Sequence, residues 1–172
     1  MSDREKLFER LSALGIDTST LEHEPVYTVD ESEAIHAKLD GGHTKNLFLK
    51  DTKGRLFLVV AQSHSTINLK RLNKTIGCGR LSFGKPDLLK EVLGVEPGSV
   101  SAFCVMCDDQ KKLEQVILDA KLMEFDQLNC HPLTNSATTT IQRDDLLRFM
   151  RDCGHEPRVM SIDDQDTQVQ VS

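Results

Sequence analysis

The feature that most constrains this chain is an unbroken apolar run, Leu56-Phe57-Leu58-Val59-Val60-Ala61. A strand with one face in water alternates apolar and polar residues, so a strand made of this run must be covered on both faces. A second apolar run, 46–50, precedes it, and the turn-like residues 51–54 separate the two. The pattern predicts a β-hairpin whose second strand is packed between helices, in an α/β or α+β layer architecture.

The rest of the chain carries alternating helix and strand signals. Leu7, Phe8, Leu11 and Leu14 share one face of a helix predicted over 4–14. Thr28 and Glu31 form a capping-box pattern that begins a second helix, ending near Lys38. Further helices are predicted at 68–75, 86–93 and 144–153, and extended segments at 20–27, 99–107, 115–119, within 125–142, and around 159–162. We expect one domain over residues 1–162 and a polar C-terminal tail over 163–172.

Charge is unevenly distributed. The 172 residues carry a net charge of −6, but residues 61–90 contain six bases and one acid. Such a stretch is a candidate phosphate-facing patch, although a solvated basic helix without a partner has the same composition.

The five cysteines are an odd number, and the first five residues lack the apolar core of a signal peptide. Reduced thiols and a cytoplasmic location are therefore expected, and no apolar run is long enough to predict a membrane span. The histidines His23, His36, His43 and His155 lack metal-ligand spacing.

Three local signals suggest a reactive site. Lys45 lies between a Gly-Gly turn and the first apolar strand, where a long amine can reach a cleft, although an ordinary exposed lysine fits the same position. His131 and Asn135 share a turn with Pro132, which is typical of a ligand-facing loop and also of a structural turn. The segment 94–102 is a glycine-bearing loop that can approach a ligand or simply turn the chain.

Two other patterns are interpreted as structural. Cys104 and Cys107 have the spacing of a redox or zinc half-site, but no second pair completes it and both fall in a run interpreted as a core strand. Ser63-His64-Ser65 contains a nucleophile and a base, but adjacent residues seldom form a catalytic triad.

Three motifs occur in chain order: Lys45-Asn46-Leu47-Phe48-Leu49-Lys50-Asp51, then Gly-Val-Glu-Pro-Gly-Ser-Val-Ser from Gly94, then His131-Pro132-Leu133 with Asn135 and Thr138. Together they resemble the YbaK and prolyl-tRNA synthetase editing-domain family. The resemblance covers about 7–162. The N-terminal helix and Gly154-His155-Glu156-Pro157 look most like the freestanding Ala-tRNA(Pro) deacylases, often called ProX or PrdX. The resemblance implies a fold with a central mixed β-sheet surrounded by helices. It also implies hydrolysis of the ester that joins an amino acid to tRNA, with no metal and no cofactor.

The resemblance also implies roles for particular residues. Lys45 matches the family's functional lysine, which orients or stabilises the reacting groups without a covalent intermediate, while the substrate's ribose hydroxyl helps to activate water. The loop from Gly98 to Ala102 matches a Gly-x-x-x-Pro loop around the substrate, with Ala102 in place of proline. The predicted substrate-binding residues are Val26, Thr28, Asn46, Gly98, Ser99, Val100, Ser101, His131 and Asn135. The predicted tRNA-binding residues are Lys50, Lys70, Arg71, Lys74 and Arg80.

The predicted function is trans-editing of Ala-tRNA(Pro) by a monomer that contacts the tRNA(Pro) acceptor stem, with prolyl-tRNA synthetase as a second expected partner. A pocket built for proline cannot strongly exclude the smaller alanine, since each missing methylene supplies only about 1–3 kcal/mol of discrimination. Two alternatives stay open: a deacylase for Cys-tRNA(Pro) or a Ser-tRNA, and a non-catalytic module that binds tRNA or a synthetase.

Overall fold

The computed structural model describes residues 2–26 and 28–164. Its helices are α1 (Asp3–Ala13), α2 (Val29–His36), α3 (Leu69–Ile76), α4 (Pro86–Leu93) and α5 (Arg143–Asp152), with 3-10 helices at Ala102–Cys107 and Ala120–Glu124. Its strands are β1 (Thr18–Glu22), β2 (Gly42–Lys50), β3 (Leu56–Gln62), β4 (Ser82–Phe83), β5 (Leu113–Asp119), β6 (Gln127–Cys130), β7 (Ala137–Gln142) and β8 (Arg158–Met160).

The strands form one mixed sheet in the order β1-β7-β6-β2-β3-β5-β8, and β4 also pairs with β2. The pairs β1/β7, β7/β6, β2/β3 and β2/β4 are antiparallel, whereas β6/β2, β3/β5 and β5/β8 are parallel. The predicted mixed sheet with helices around it is confirmed.

The predicted hairpin is the β2–β3 pair, in which Lys45 lies opposite Ala61 and Lys50 opposite Leu56. The buried carboxylate of Asp51 accepts hydrogen bonds from the backbone N–H groups of Lys53 (3.0 Å) and Arg55 (2.9 Å). A side chain that bonds its own turn in this way favours the reversal of the chain.

Strand β3 is buried on both faces, as its composition predicts. Leu58 and Val60 belong to a core with residues of α1, α4, α5 and the first 3-10 helix. Phe57, Val59 and Ala61 belong to a second core with Leu72 and Ile76 of α3. The sheet is therefore the middle layer between two sets of helices.

One edge of β2 is only partly paired. Strand β6 pairs with it at Gly42 and His43, and β4 pairs with it at Leu49 and Lys50. Between these short partners, residues 44–47 face no other strand on that edge among the described residues. The sheet is consequently open at its centre, beside the carboxyl end of β6.

The segment 99–107 does not form the predicted strand. Ser101 is fully buried and begins a 3-10 helix, its hydroxyl accepting a hydrogen bond from Phe103 N (3.2 Å). Cys104 Sγ in turn accepts one from Ser101 N (3.3 Å). The prediction of a strand was wrong because a short buried apolar run has no periodicity that separates strand from helix, whereas the prediction that Cys104 is a core residue is confirmed.

Two residues of the predicted tail contact the turn after β3. Asp163 is buried and accepts a hydrogen bond from Thr66 N (3.0 Å), and Asp164 N donates to Thr66 O (2.7 Å). These two residues therefore pack with the domain, while residues 165–172 of the predicted tail lie outside the described residues. No helix over 2–26 and 28–164 combines the length and apolar character that a bilayer span requires.

Candidate active site

A cavity of about 400 Å³ lies where the edge of β2 is open. Its walls come from α2, the first half of β2 and the end of β6. The loop before α2 and the loop between α4 and Ala102 also contribute. Among the predicted site residues, Val26, Thr28, Lys45, Gly98 and His131 line this cavity. Segments far apart in sequence thus meet at one opening.

Lys45 is half-buried in β2. Lys45 lies two and four residues before Leu47 and Leu49, so the three side chains lie on the same face of the sheet, the face that carries α3. Its amine donates a hydrogen bond to the backbone carbonyl of Ser65. That carbonyl holds the amine at the wall of the cavity.

His131 follows the last residue of β6, and its Nδ1 lies 3.0 Å from the carbonyl oxygen of Ala137. A carbonyl only accepts, so Nδ1 carries the proton in this pair. Burial lowers the pKa of His131, despite the opposing effect of that hydrogen bond. The ring is therefore neutral at pH 7, and Nε2 is its remaining hydrogen-bond acceptor.

Hydrogen bonds behind the cavity hold its polar wall. Thr44 Oγ1 donates to the backbone carbonyl of Asn129 (2.7 Å), and the Asn129 amide donates to the carbonyl of Asp40 (2.8 Å). Thr138 Oγ1, also in the wall, lies 2.9 Å from Nε2 of His23. The first two bonds join β6 to β2 and to the segment before β2, and the third joins β7 to the residue that follows β1.

The imidazole rings of His36 and His43 stack at the cavity wall, with centroids 4.0 Å apart. Burial is the main cause that lowers the pKa of each ring. The stack joins α2 to β2. Within the described residues, no group of three or more His, Cys, Asp or Glu is arranged to hold a metal ion.

The remaining predicted substrate-binding residues do not form the wall of the cavity. Ser101 is fully buried as a helix cap, Val100 packs against the core, and Ser99 lies beside them. Asn135 forms part of the rim, since its carbonyl accepts a hydrogen bond from Val26 N (3.3 Å). The side-chain oxygen of Asn46 is buried without a hydrogen-bond partner among the residues that the structure describes.

Gly98 has a backbone φ of +93° at the cavity wall. Residues with a Cβ rarely adopt this conformation, so the loop depends on glycine here. The amide nitrogen of Asn135 would lie 3.9 Å from a Cβ at this position. Loop 94–102 thus brings its backbone to the cavity through one residue.

Sequence reasoning missed several residues of the wall. The main ones are His36, His43, Thr44, Ser63, Cys130 and Thr138. Thr138 is part of the motif that carries the family resemblance, so that motif contained a signal for it. The two histidines and Ser63 have no local pattern that marks them as wall residues, because the segments that form the wall are distant in the sequence.

The predicted basic residues lie on α3, at the end of β2 and just before β4. Lys70, Arg71 and Lys74 are exposed on α3, which packs on the sheet face of Lys45, and Arg71 also pairs with Asp164 at 3.1 Å. Lys50 ends β2, opposite Ser82 of β4, and Arg80 is exposed just before β4. The exposed ring of Phe83 lies in β4 beside them.

Cys104, Cys130 and Cys153 are buried, and Cys78 and Cys107 are partly exposed. Burial raises the pKa of Cys104 and Cys130 to about 12, and that of Cys107 and Cys153 to about 11. Thiols with such values carry almost no thiolate at pH 7 and are poor nucleophiles. Cys130 lines the cavity as a small apolar group.

Comparison with known proteins gives a consistent result. Residues 23–149 match the family model described as an aminoacyl-tRNA editing domain. The chain is 38% identical over 162 residues to "Prolyl-tRNA synthetase associated domain-containing protein 1" of Danio rerio, covering 93% of this chain and 88% of that protein. It is 36% identical over 163 residues to "Prolyl-tRNA editing protein ProX" of Acetoanaerobium sticklandii, covering 94% of this chain and 99% of that protein.

A crystal structure of a candidate trans-editing enzyme for prolyl tRNA synthetase has the same fold, with a TM-score of 0.73 and 18% identity over 95% of this chain and 98% of that one. The family match covers the segments that form the cavity, from the loop before α2 to α5. The chain therefore belongs to the aminoacyl-tRNA editing domain family and is an aminoacyl-tRNA deacylase.

Proposed function

We propose that this enzyme acts in trans on mischarged tRNA(Pro) and removes alanine from it. The names of its relatives, a prolyl-tRNA editing protein and a prolyl-tRNA synthetase associated protein, support the prolyl system. The observation that carries the chemistry is the cavity of about 400 Å³ that presents the Lys45 amine and the His131 imidazole together.

The reaction is hydrolysis of an ester. The oxygen of water bonds to the carbonyl carbon, the bond to the terminal ribose oxygen breaks, and that oxygen takes up a proton, which gives free alanine and tRNA. Negative charge develops on the carbonyl oxygen, where an ammonium group stabilises it. Lys45 supplies that group, and the neutral His131 accepts a hydrogen bond from the substrate through Nε2.

Selectivity for alanine follows from size. Val26, Thr28 and Ile35 lie in the cavity wall next to the polar groups. In this proposal these three side chains contact the methyl group of alanine when the tRNA terminus fills the rest of the cavity, and a packed wall resists a larger side chain. The cavity is a second sieve that accepts the small amino acid which the synthetase fails to reject.

The basic residues hold the acceptor stem. Lys70 and Lys74 are exposed on α3, which packs on the sheet face of Lys45, and Arg80 is exposed just before β4. All three face phosphates of the tRNA in this proposal. Phe83, exposed between Arg80 and Lys85, offers an aromatic ring on which an unpaired base can stack. The apparent KM for tRNA should rise steeply with salt, because bound phosphates release counterions.

The first test is release of labelled amino acid from Ala-tRNA(Pro), Cys-tRNA(Pro), Ser-tRNA(Ala) and Pro-tRNA(Pro), by wild type and by Lys45→Ala. We expect rapid loss of alanine only, and a decrease in kcat of about 10²–10³-fold for the variant, the usual effect of removing one group that stabilises an oxyanion.

Each other outcome is informative. Cleavage of a different substrate overturns the specificity and leaves the site intact. Equal activity of wild type and Lys45→Ala overturns the role of Lys45. If none of these aminoacyl-tRNAs is cleaved above the uncatalysed rate, the proposal that the enzyme acts on this class of substrate is overturned. Lys53→Ala, an exposed lysine in the β2–β3 turn, is the matched control and should act as wild type.

A further inference from the structure

The Lys45 amine is held by a turn that is supported in part by a buried carboxylate outside the cavity wall. This turn, residues 62–66, follows β3 and is called here the 62–66 turn. It contributes Ser63 to the cavity wall and the Ser65 carbonyl that accepts from Lys45. The position of the amine therefore depends on what holds this turn.

Asp119, the last residue of β5, supports this turn together with the backbone hydrogen bonds from Ser63 N to His43 O (2.8 Å) and from Ser65 N to Gln62 O (2.9 Å). Its side chain is buried, and its Oδ2 accepts from Gln62 N (3.0 Å) and from the hydroxyl of Ser65 (2.5 Å). Its Oδ1 accepts from Lys121 N (3.0 Å). One carboxyl group thus bonds both ends of the bend between Gln62 and Ser65.

Ser65 connects this support to the amine. It is 1% exposed, its hydroxyl donates to Asp119, and its carbonyl accepts from Lys45. A lysine side chain has four rotatable bonds, and without a fixed acceptor its amine samples many positions. A carbonyl held by a buried hydrogen bond removes most of that freedom.

Asp108, at the other end of the β5 region, offers a comparison. It is equally buried and accepts hydrogen bonds from the backbone N–H groups of Lys112 (2.8 Å) and Leu113 (3.0 Å). Neither it nor those two residues lie in the wall of the cavity. The two aspartates therefore provide similar support to the fold, but only Asp119 is connected to Lys45.

We propose that Asp119 and Ser65 are positioning residues that aim the Lys45 amine through the Ser65 carbonyl. This inference rests on the proposed role of Lys45. The phosphate-facing residues are not part of this network, so its loss should lower kcat and leave KM for tRNA unchanged. A displacement of about 1 Å in a catalytic group costs up to about 100-fold in rate, which sets the scale of the effect.

The experiment compares Asp119→Asn, Ser65→Ala and the control Asp108→Asn in the deacylation assay, with the free energy of unfolding measured for each. We expect kcat to fall about 10- to 100-fold in Asp119→Asn and about 3- to 10-fold in Ser65→Ala, at unchanged KM. Asp108→Asn should lose stability but keep the kcat of wild type. The inference would be overturned if Asp119→Asn and Asp108→Asn lost kcat equally and if each loss matched the decrease in the free energy of unfolding.

Combination with Lys45→Ala separates positioning from general damage. If Asp119 acts through Lys45, Asp119→Asn should have no further effect on kcat once the amine is absent, whereas independent effects multiply. Ser65→Ala removes only a hydroxyl and serves in the same comparison if Asp119→Asn does not fold.

The failure of this inference differs from the failure of the proposed function. A slow Lys45→Ala variant beside fully active Asp119→Asn and Ser65→Ala variants overturns only the positioning role. A fully active Lys45→Ala variant overturns the catalytic role of the lysine itself.

Discussion

Replacement of Asp51 by asparagine should destabilise the fold. The Oδ1 atom of Asp51 accepts from Lys53 N and Arg55 N, while Oδ2 accepts from Arg55 Nε (2.9 Å) and Gly79 N (3.2 Å). An amide can retain the first pair of bonds, but its NH2 group would then point at the two donors on the other side. The contact between the β2–β3 turn and the Gly79 segment, which precedes Arg80, would be lost.

The size of the effect follows from these contacts. Arg55 is partly exposed and can turn to water, so its bond contributes at most about 1 kcal/mol. The charge-assisted bond to Gly79 N and the penalty for leaving that N–H unpaired add about 2 kcal/mol. We expect a loss of about 3 kcal/mol, which for a chain of this size lowers Tm by about 6–12 °C.

The pH dependence provides a second test. Burial opposes ionisation of Asp51, but hydrogen bonds from Arg55, Gly79 and Lys53 outweigh it, so the pKa of this carboxyl lies below its ordinary value. Its stabilising contribution is present above the unfolded-state pKa of about 3.9 and is lost as the pH falls through the folded-state pKa. The difference between wild type and Asp51→Asn should therefore shrink on acidification below pH of about 4.

The assay is urea unfolding followed by circular dichroism at pH 7 and at acidic pH. Asp17→Asn, at an exposed loop position, is the control and should change the free energy of unfolding by no more than about 0.5 kcal/mol. A similarly small change in Asp51→Asn at pH 7 would refute the reasoning, as would a difference that grows as the pH falls.

Two further predictions concern packing and protonation. Gly84→Ala should lose about 1–3 kcal/mol of stability in urea unfolding, because its Cβ would lie 2.4 Å from the Phe48 ring; an unchanged midpoint would contradict the contact. Burial lowers the pKa of His36 and His43, so the unfolded chain binds protons first, and stability should fall as the pH drops below about 6.5. His43→Gln should flatten that fall, and an equally steep fall in the variant would contradict the assignment.

Local patterns predicted much of the fold. The apolar run at Leu56–Ala61 cannot lie on a half-exposed strand, and this alone required helices on both faces of the sheet. Thr28 begins α2 as predicted, with Glu31 N donating to its hydroxyl at 3.2 Å. Such signals are readable because strand alternation and helix caps depend on residues only a few positions apart.

The candidate site was predictable only in part. The motif around Lys45 and His131 identified the family, and both residues line the cavity. The resemblance implied that the loop from Gly98 to Ala102 surrounds the substrate, yet Gly98 lines the cavity while Ser101 is buried as a helix cap. The apolar run 102–107, which follows the loop, has no period that separates a helix from a strand. The sequence therefore did not show that Ser101 caps a helix and so lies away from the cavity.

By itself, the sequence determined the layer architecture, most of the helices, the hairpin and the family. Only the tertiary structure decided where the sheet stays open, which histidines stack, and which buried groups hold the Lys45 amine. The gap beside β2 exists because β6 and β4, about 45 residues apart in the chain, each pair with a different end of it. Asp119 supports the 62–66 turn because β5 pairs with β3, and such a contact between distant segments leaves no local pattern in the residues that make it.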